Sequence, residues 1–182
     1  MSGAKEYPSG QIRNVVMLGH GGSGKTTLID ALCFATGTSR RHGSVKDGTA
    51  LTMYTDEEIA HGISIQCSVA YADWHGIKVN LLDTPGYLDF TGDAIAATRV
   101  ADGAVIVLGA TAGVEVGTEK VWEYCEPRGI PRLFFVSMMD KDNADFDKVC
   151  DEIRLHMSEH AIAAELPIGE GDKFRGIVNL FT

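Results

Sequence analysis

Eight residues near the N-terminus have the types and the spacing of a phosphate-binding loop. Residues 19–26 read Gly-His-Gly-Gly-Ser-Gly-Lys-Thr and match the pattern G-x-x-x-x-G-K-[ST] in full. The glycines let backbone N–H groups converge on phosphate oxygens, and the helix predicted to follow adds donors and a favourable dipole. Lys25 would reach the terminal phosphates of a nucleotide, and the Thr26 hydroxyl would ligate Mg²⁺. A plain glycine-rich turn is the alternative, but it does not explain the lysine and the threonine.

A second group of chemically informative residues is Asp-Thr-Pro-Gly at 83–86, which follows an apolar strand predicted at 79–82. Loops after parallel strands gather at one edge of an open α/β sheet. The Asp83 carboxylate would therefore lie beside the phosphate loop and hold Mg²⁺ through water, and the Gly86 N–H would sense a γ-phosphate. The alternative is a turn without function, since this tetrapeptide is also good turn chemistry.

The third group, Ser137-Met138-Met139-Asp140, follows another apolar run. A carboxylate at this place can accept two hydrogen bonds from the N1 and N2 donors of guanine, which adenine cannot match. The alternative is that Asp140 caps the next helix.

Apolar, β-rich runs alternate along the chain with amphipathic stretches, which predicts a mainly parallel α/β sheet with helices on both faces. The predicted strands lie at 15–18, 65–72, 78–82, 104–108 and 133–136, with a hairpin at His75-Gly76. The predicted helices lie at 27–35, 92–101 and 118–126, and a fourth follows Asp145, where apolar residues recur at helical spacing up to Met157. Residues 37–62 are too long for a simple connection, so we predict a functional or mobile loop there.

The composition is that of one globular domain. With 182 residues, 45% of them hydrophobic, the chain can bury one core. The sequence has no long apolar run and no basic-then-apolar leader, so the expected location is the cytoplasm, without membrane contact. The formal net charge of −9, with no basic cluster longer than Arg40-Arg41, argues against autonomous nucleic-acid binding.

The cysteines and histidines do not have the spacing of a metal site. Four cysteines stand far apart without a C-x-x-C pair, which favours reduced thiols over zinc ligands or disulfides. Only His156 and His160 have i, i+4 spacing, on a predicted surface helix without a third partner, so no metal is assigned to them. His20, inside the phosphate loop, is interpreted as a packing and orientation residue.

Taken together, five segments resemble the GTP-binding domain of bacterial translation elongation factor G. They are residues 19–28, 83–90, 113–123, 142–149 and 166–180. The likeness extends over nearly the whole chain, from about Gln11 to Phe181, and is closest to the elongation factor G-like branch of that family. This branch is also similar to the tetracycline-resistance ribosomal protection proteins.

The resemblance implies a phosphate-loop NTPase fold of the translational GTPase type, GTP hydrolysis, and a ribosome as the partner of the full-length parent protein. It assigns GTP or GDP binding to Gly19, His20, Gly21, Gly22, Ser23, Gly24, Lys25, Thr26, Thr27, Asp83, Gly86, Ser137, Met138 and Asp140. It assigns Mg²⁺ to Thr26, Ser64 and Asp83, and catalysis to Lys25, Gly86 and Tyr87. Ser64 stands where the family motif Arg-Gly-Ile-Thr-Ile has threonine, so the hydroxyl is kept and the rotamer-fixing methyl is lost.

Two departures from the family pattern qualify this assignment. Tyr87 replaces the histidine that orients the attacking water, and a phenol is a poor base at neutral pH. Because phosphoryl transfer depends more on positioning than on proton abstraction, Tyr87 can still place a water. The usual Asn-Lys-x-Asp motif is replaced by Ser-Met-Met-Asp at residues 137–140. We therefore expect weaker affinity for the nucleotide, with the preference for guanine largely kept. The alternatives are a GTP-binding switch with little hydrolysis and an ATP-using phosphate-loop enzyme.

The resemblance also implies a domain organisation. Residues 1–10 are predicted to be a disordered N-terminus, residues 11–162 the core of the GTP-binding domain, and residues 163–182 the beginning of an inserted subdomain. The family's last strand and helix would come after residue 182, so we expect a sheet edge and helix faces that are not covered, and self-association of this piece.

Overall fold

The computed structural model describes residues 5–181, in which strands and helices alternate along the chain. The strands are β1 (Ile12–Leu18), β2 (Ser68–Trp74), β3 (Ile77–Asp83), β4 (Gly103–Gly109), β5 (Arg132–Ser137), β6 (Glu165–Ile168) and β7 (Gly176–Asn179). The helices are α1 (Lys25–Ala35), α2 (Asp56–His61), α3 (Thr91–Thr98), α4 (Val116–Cys125) and α5 (Phe146–His156). Short 3₁₀ turns lie at Ser9–Gln11, Leu88–Phe90, Glu126–Arg128 and Gly171–Lys173.

The first five strands form one sheet in the order β2-β3-β1-β4-β5. β1 lies parallel to β3 and β4, and β4 lies parallel to β5, whereas β2 pairs with β3 as an antiparallel hairpin. The prediction of a mainly parallel α/β sheet is therefore confirmed. Because the carboxyl ends of β1, β3, β4 and β5 share one edge, the three predicted motifs emerge there together.

Side chains of β1 point alternately to the two faces of the sheet and divide the core. Val16 and Leu18 belong to a buried cluster with α3, α4 and α5, in which Val149 is fully buried. Met17 belongs to a second cluster, in which α1 contributes Ile29 and Cys33. Near-continuous apolar strands are what burial on both faces requires.

The predicted loop at 37–62 contains a helix, α2, which the sequence analysis missed. Thr55 and Glu58 form a capping box, in which the Thr55 hydroxyl accepts from the Glu58 N–H and the Glu58 side chain accepts from the Thr55 N–H. The signal Thr-x-x-Glu was present in the sequence. Gly62, with φ +64°, ends the helix in the left-handed conformation.

The strand predicted at 65–72 begins only at Ser68. The N–H groups of Ile65 and Gln66 donate to Glu58, and that of Cys67 donates to Asp93, instead of to a neighbouring strand. The alternating pattern therefore extended the predicted strand too far towards the N-terminus.

Two further predictions on helices need correction. α5 ends at His156, so His156 and His160 do not share a helix, and the predicted i, i+4 pair is wrong. α4 ends at Cys125, one residue earlier than predicted, and Pro127 continues the chain into a 3₁₀ turn. All four cysteines are free thiols, and Cys33 and Cys125 are buried.

The two ends of the chain pack differently from the central sheet. β6 and β7 form a separate two-stranded antiparallel sheet, at the start of the region predicted to be an inserted subdomain. Of the predicted disordered segment 1–10, residues 1–4 lie outside the described residues, and the side chains of Lys5 and Tyr7 both donate to Asp73 of β2. Thr182 also lies outside the described residues.

Within residues 5–181, no helix has both the length and the apolar character needed to cross a lipid bilayer.

Candidate functional site

The phosphate loop connects β1 to α1 and is shaped by left-handed glycine conformations. Gly22 and Gly24 have φ values of +80° and +97°, which a side chain would strain. Gly19 lies so close to the backbone of β4 that a Cβ there would collide with the Val107 carbonyl oxygen. The loop therefore needs glycine at these positions in order to bring its N–H groups around an anion.

Lys25 lies under this loop with 6% of its surface exposed. Its ammonium donates to the carbonyl oxygens of Gly19 at 3.0 Å and His20 at 2.8 Å. Burial lowers the pKa of Lys25 to about 8, and the charges of Asp83 and Glu115 oppose the shift. The side chain is thus held in place as a buried cation whose charge an approaching polyphosphate would stabilise.

Three residues predicted as Mg²⁺ ligands meet beside the phosphate loop, although they come from three separate segments. The Thr26 hydroxyl donates to Asp83 Oδ2 at 2.8 Å. The Ser64 and Thr26 hydroxyl oxygens are 3.1 Å apart. The cluster therefore lies at the junction of α1, the loop before β2 and the end of β3.

Asp83 is almost completely buried, with 1% of its surface exposed. Burial raises the pKa of its carboxyl group, while hydrogen bonds from Thr52 and Thr26 and the charge of Lys25 lower it. Among the described residues, the second carboxylate oxygen, Oδ1, is buried without a hydrogen-bond partner. A buried carboxylate oxygen beside two hydroxyls is a donor set of hard oxygens, which fits Mg²⁺.

Thr52 is a site residue that the sequence analysis missed. Its hydroxyl donates to Asp83 Oδ2 at 2.6 Å, and 5% of its surface is exposed. Thr52 lies in the predicted loop, where serine and threonine are frequent, so no local signal distinguishes it from its neighbours. Only the contact across the fold identifies it.

Two buried carboxylates hold the loop that carries Thr52 and Ser64. Asp30 of α1 accepts hydrogen bonds from the N–H groups of Gly43 and Leu51. Glu58 accepts from Ile65, the residue directly after Ser64, at 3.0 Å. The loop is therefore tied to α1 through Asp30 and to α2 through Glu58, on either side of the cluster formed by Thr26, Ser64 and Asp83.

The segment after β3 lies directly against the phosphate loop. A Cβ on Gly86 would collide with Lys25 Nζ and lie 2.6 Å from the Gly21 nitrogen, and a Cβ on Gly21 would lie 2.9 Å from the Tyr87 ring. Glycine is thus required at position 86, where the close contact is with backbone, whereas the exposed Tyr87 ring could move away from a side chain at position 21. A phosphate group between Lys25 and the Gly86 N–H would need this segment to move outwards.

The base motif after β5 is joined to the phosphate loop by Ser137. Its hydroxyl donates to the Ser23 carbonyl oxygen at 2.7 Å, and it lies 3.0 Å from the Leu108 carbonyl oxygen. Met138 has a left-handed backbone, with φ +59°, and its side chain lies beside Gly24 and Gly109. The Met138 side chain therefore lies against the end of the phosphate loop.

Asp140 is exposed, and its carboxylate lies 3.4 Å from Lys141 Nζ. It does not cap the next helix, because α5 begins at Phe146 and its cap is Asp145, which accepts from the Lys148 N–H at 2.9 Å. The cap alternative for Asp140 is therefore wrong, and its carboxylate remains accessible to a ligand.

His20 packs against the start of α4. Its Nε2 is 3.5 Å from Glu115 Oε1, and a Cβ on Gly117 would lie 2.6 Å from its Nδ1. This is the environment of a packing residue. Within the described part of the chain, no group of three or more His, Cys, Asp or Glu side chains could hold a metal ion.

The chain is similar to known proteins over nearly its whole length. The family described as "Elongation factor Tu GTP binding domain" matches residues 10–177. Over 173 residues the chain is 39% identical to elongation factor G 2 of Streptomyces coelicolor, which covers 95% of this chain and 25% of that protein. A crystal structure of a protein from Thermus thermophilus superposes with a TM-score of 0.88 at 39% identity, covering 94% of this chain and 26% of that one. The chain thus spans about a quarter of the length of these relatives.

Proposed function

The chain belongs to the family of elongation factor Tu GTP-binding domains, and from this premise we propose that it is the Mg²⁺-dependent GTP-binding domain of an elongation factor G-like translational GTPase. The observation that carries the proposal is the convergence of Lys25, Thr26, Ser64 and Asp83 at the edge where β1 and β3 end. These residues lie within hydrogen-bond distance of one another or of the phosphate loop.

In this proposal the phosphates of GTP or GDP lie in the loop of residues 19–27. Its backbone N–H groups and the start of α1 bind the β-phosphate, and Lys25 neutralises charge on the terminal phosphates. The lysine is already held by two carbonyl oxygens of the loop, so little side-chain entropy is lost when the anion binds.

Thr26, Ser64 and Asp83 would hold Mg²⁺. The cation would neutralise negative charge on the phosphates of the nucleotide. The burial of Asp83 and its partnerless Oδ1 among the described residues support the assignment, because a buried carboxylate is stabilised by a cation or by hydrogen bonds.

Guanine recognition is assigned to Asp140, with Ser137 and Met138 beneath the base. Asp140 is accessible, and it would accept the two N–H donors of guanine. Ser137 would act by fixing the base motif to the phosphate loop, since its hydroxyl donates to Ser23. Met138 would cover one face of the base by dispersion.

Hydrolysis is assigned to Lys25, Gly86 and Tyr87. The Gly86 N–H would bind the γ-phosphate, and Tyr87 would position the attacking water. Loss of the γ-phosphate would release Ser64 and Gly86, and the resulting movement would alter the contact of the parent protein with the ribosome in the cytoplasm. A GTP-binding switch with little hydrolysis is the second candidate, favoured by Tyr87, whose ring lies against Gly21.

The proposed domain organisation has a core at residues 11–162 and the beginning of an inserted subdomain at 163–182. The separate sheet of β6 and β7 supports this division. The contacts of Lys5 and Tyr7 with Asp73 support assigning residues 5–10 to the core as well.

Equilibrium titration with a fluorescent GDP analogue at millimolar Mg²⁺ tests the proposal. We expect saturable binding that unlabelled GTP and GDP reverse and that the Lys25→Ala variant loses. Circular dichroism would verify that the variant is folded. The absence of saturable binding to the wild-type chain and to a full-length parent would refute the proposal.

A further inference from the structure

The loop between α1 and β2 contacts the proposed magnesium site at two places. The first is Ser64, whose hydroxyl lies 3.1 Å from that of Thr26. The second is Thr52, which donates to Asp83 Oδ2 at 2.6 Å. Thr52 lies in a buried stretch, since the nearby Ala50 and Met53 are 4% and 5% exposed.

The two oxygens of the Asp83 carboxylate have different surroundings. Oδ2 accepts from Thr26 at 2.8 Å and from Thr52 at 2.6 Å. Oδ1 has no hydrogen-bond partner among residues 5–181 and is buried. The two hydroxyls therefore fix the orientation of the carboxylate through Oδ2.

The two donors to Oδ2 are not equivalent. Thr26 is itself a proposed ligand of Mg²⁺, whereas the Thr52 hydroxyl makes its one hydrogen bond within residues 5–181 to the carboxylate. Thr52 is in turn held in place because the neighbouring Leu51 N–H donates to Asp30 at 3.0 Å. The chain of contacts runs from α1 through the loop to the carboxylate at the end of β3.

We propose that Thr52 is a positioning residue for Mg²⁺, which acts by holding the Asp83 carboxylate in its orientation beside Thr26. The inference rests on the proposed function, because it takes Asp83 as part of the magnesium site. Hydrogen-bond partners of metal-binding carboxylates orient them, and their loss typically lowers metal affinity about 10–100-fold.

Two substitutions separate the hydroxyl of Thr52 from its packing. Thr52→Val keeps the shape of the side chain and removes the hydroxyl, whereas Thr52→Ser keeps the hydroxyl and removes the methyl group. Thr49→Val is the matched control, since Thr49 lies in the same loop and its hydroxyl contacts only Ser44 among the described residues.

The experiment measures the affinity for a fluorescent GDP analogue as a function of Mg²⁺ concentration. For Thr52→Val we expect the half-maximal Mg²⁺ concentration to rise about 10–100-fold, with Thr52→Ser and Thr49→Val within about threefold of the wild type. In excess EDTA all four proteins should bind the analogue equally, which also verifies the fold. If Thr52→Val does not fold, Thr52→Ala removes the same hydroxyl, and the same shift is expected.

The outcomes separate this inference from the proposed function. If the wild type and Thr52→Val bind the analogue with the same Mg²⁺ dependence, the inference is overturned and the proposed function is not. An equal shift in Thr52→Ser and Thr52→Val would also overturn it, since packing would then be the cause. A wild-type chain without any nucleotide binding would overturn the proposed function and this inference together.

Discussion

Replacing Glu58 by glutamine tests how firmly the loop is held beside the cluster of Thr26, Ser64 and Asp83. Glu58 has no exposed surface. Its Oε1 accepts from the N–H groups of Ile65 at 3.0 Å and Gln66 at 3.4 Å, and its Oε2 accepts from Thr55 at 3.4 Å. Because Ser64 directly precedes Ile65, these hydrogen bonds place the Ser64 hydroxyl beside Thr26.

The cost of the substitution follows from the number of acceptors that it removes. Glutamine has one acceptor oxygen in place of two, and its NH₂ group would face an N–H group at the other position. One buried N–H group is then left without an acceptor, at a cost of about 1–3 kcal/mol. If the loop opens as a unit, this cost raises the fraction of molecules with an open loop about 5–150-fold.

The effect should depend on pH in a defined direction. Burial alone would raise the pKa of Glu58, but hydrogen bonds from Ile65, Thr55 and Gln66 outweigh it, so the pKa lies below the ordinary value of 4.5. A lowered pKa contributes stability that is present above the pKa of the unfolded chain and is lost as the pH falls through the folded value. The difference between Glu58→Gln and the wild type should therefore persist from pH 7 to about 5 and shrink only in stronger acid.

Two assays measure this difference. Trypsin cleavage at the exposed Arg40 and Arg41 reports opening of the loop, and urea unfolding reports global stability. Glu57→Gln is the matched control, since Glu57 lies next to Glu58 in α2 but is exposed. The reasoning is refuted if Glu58→Gln matches Glu57→Gln in both assays at pH 7.

Three further predictions concern the base, the hydrolysis and the sheet edge. Asp140→Asn should lower GTP affinity about 100-fold or more, because two hydrogen bonds from guanine to a charged carboxylate, worth about 1.5–3 kcal/mol each, would be weakened or lost. Competition titration measures this affinity. Equal competition by ATP and GTP for the wild-type chain would contradict guanine recognition. Tyr87→His should raise single-turnover GTP hydrolysis about tenfold or more when ribosomes are present, and an unchanged rate would argue against a water-positioning role. The chain should self-associate in sedimentation experiments, because the edge strand β5 is not covered. Phe135→Glu, which places a charge at a side chain 39% exposed on β5, should weaken this association. A wild-type monomer with a high, cooperative melting transition would count against the predicted self-association.

Local sequence predicted the parts of the site whose residues are neighbours along the chain. The phosphate loop is one such part, since its glycines and Lys25 belong to one continuous segment of eight residues. The parallel sheet was also predictable, because apolar strands buried on both faces have a continuous pattern. The helix α2 was missed, but it could have been predicted from the sequence, since the capping signal at Thr55 and Glu58 is local.

Contacts between distant segments could not be predicted in the same way. The Thr52 hydroxyl contacts Asp83, 31 residues further along, and Ser137 contacts Ser23 across 114 residues. Neither contact is indicated by a pattern in the sequence around its two residues. The start of β2 was misplaced for the same reason, because Cys67 bonds to Asp93 in a later helix.

By itself, the sequence determined which residues have the chemistry to bind phosphate, Mg²⁺ and guanine. It also determined the alternation of the main-sheet strands with α1, α3, α4 and α5 that carries them. Only the tertiary structure decided that Thr52 joins Thr26, Ser64 and Asp83 in one cluster, and that Asp145 caps the helix which Asp140 was a candidate to cap. The physical reason is that side-chain type and periodicity are properties of a local segment. The hydrogen-bond partner of a buried group, in contrast, depends on which distant segment the fold brings beside it.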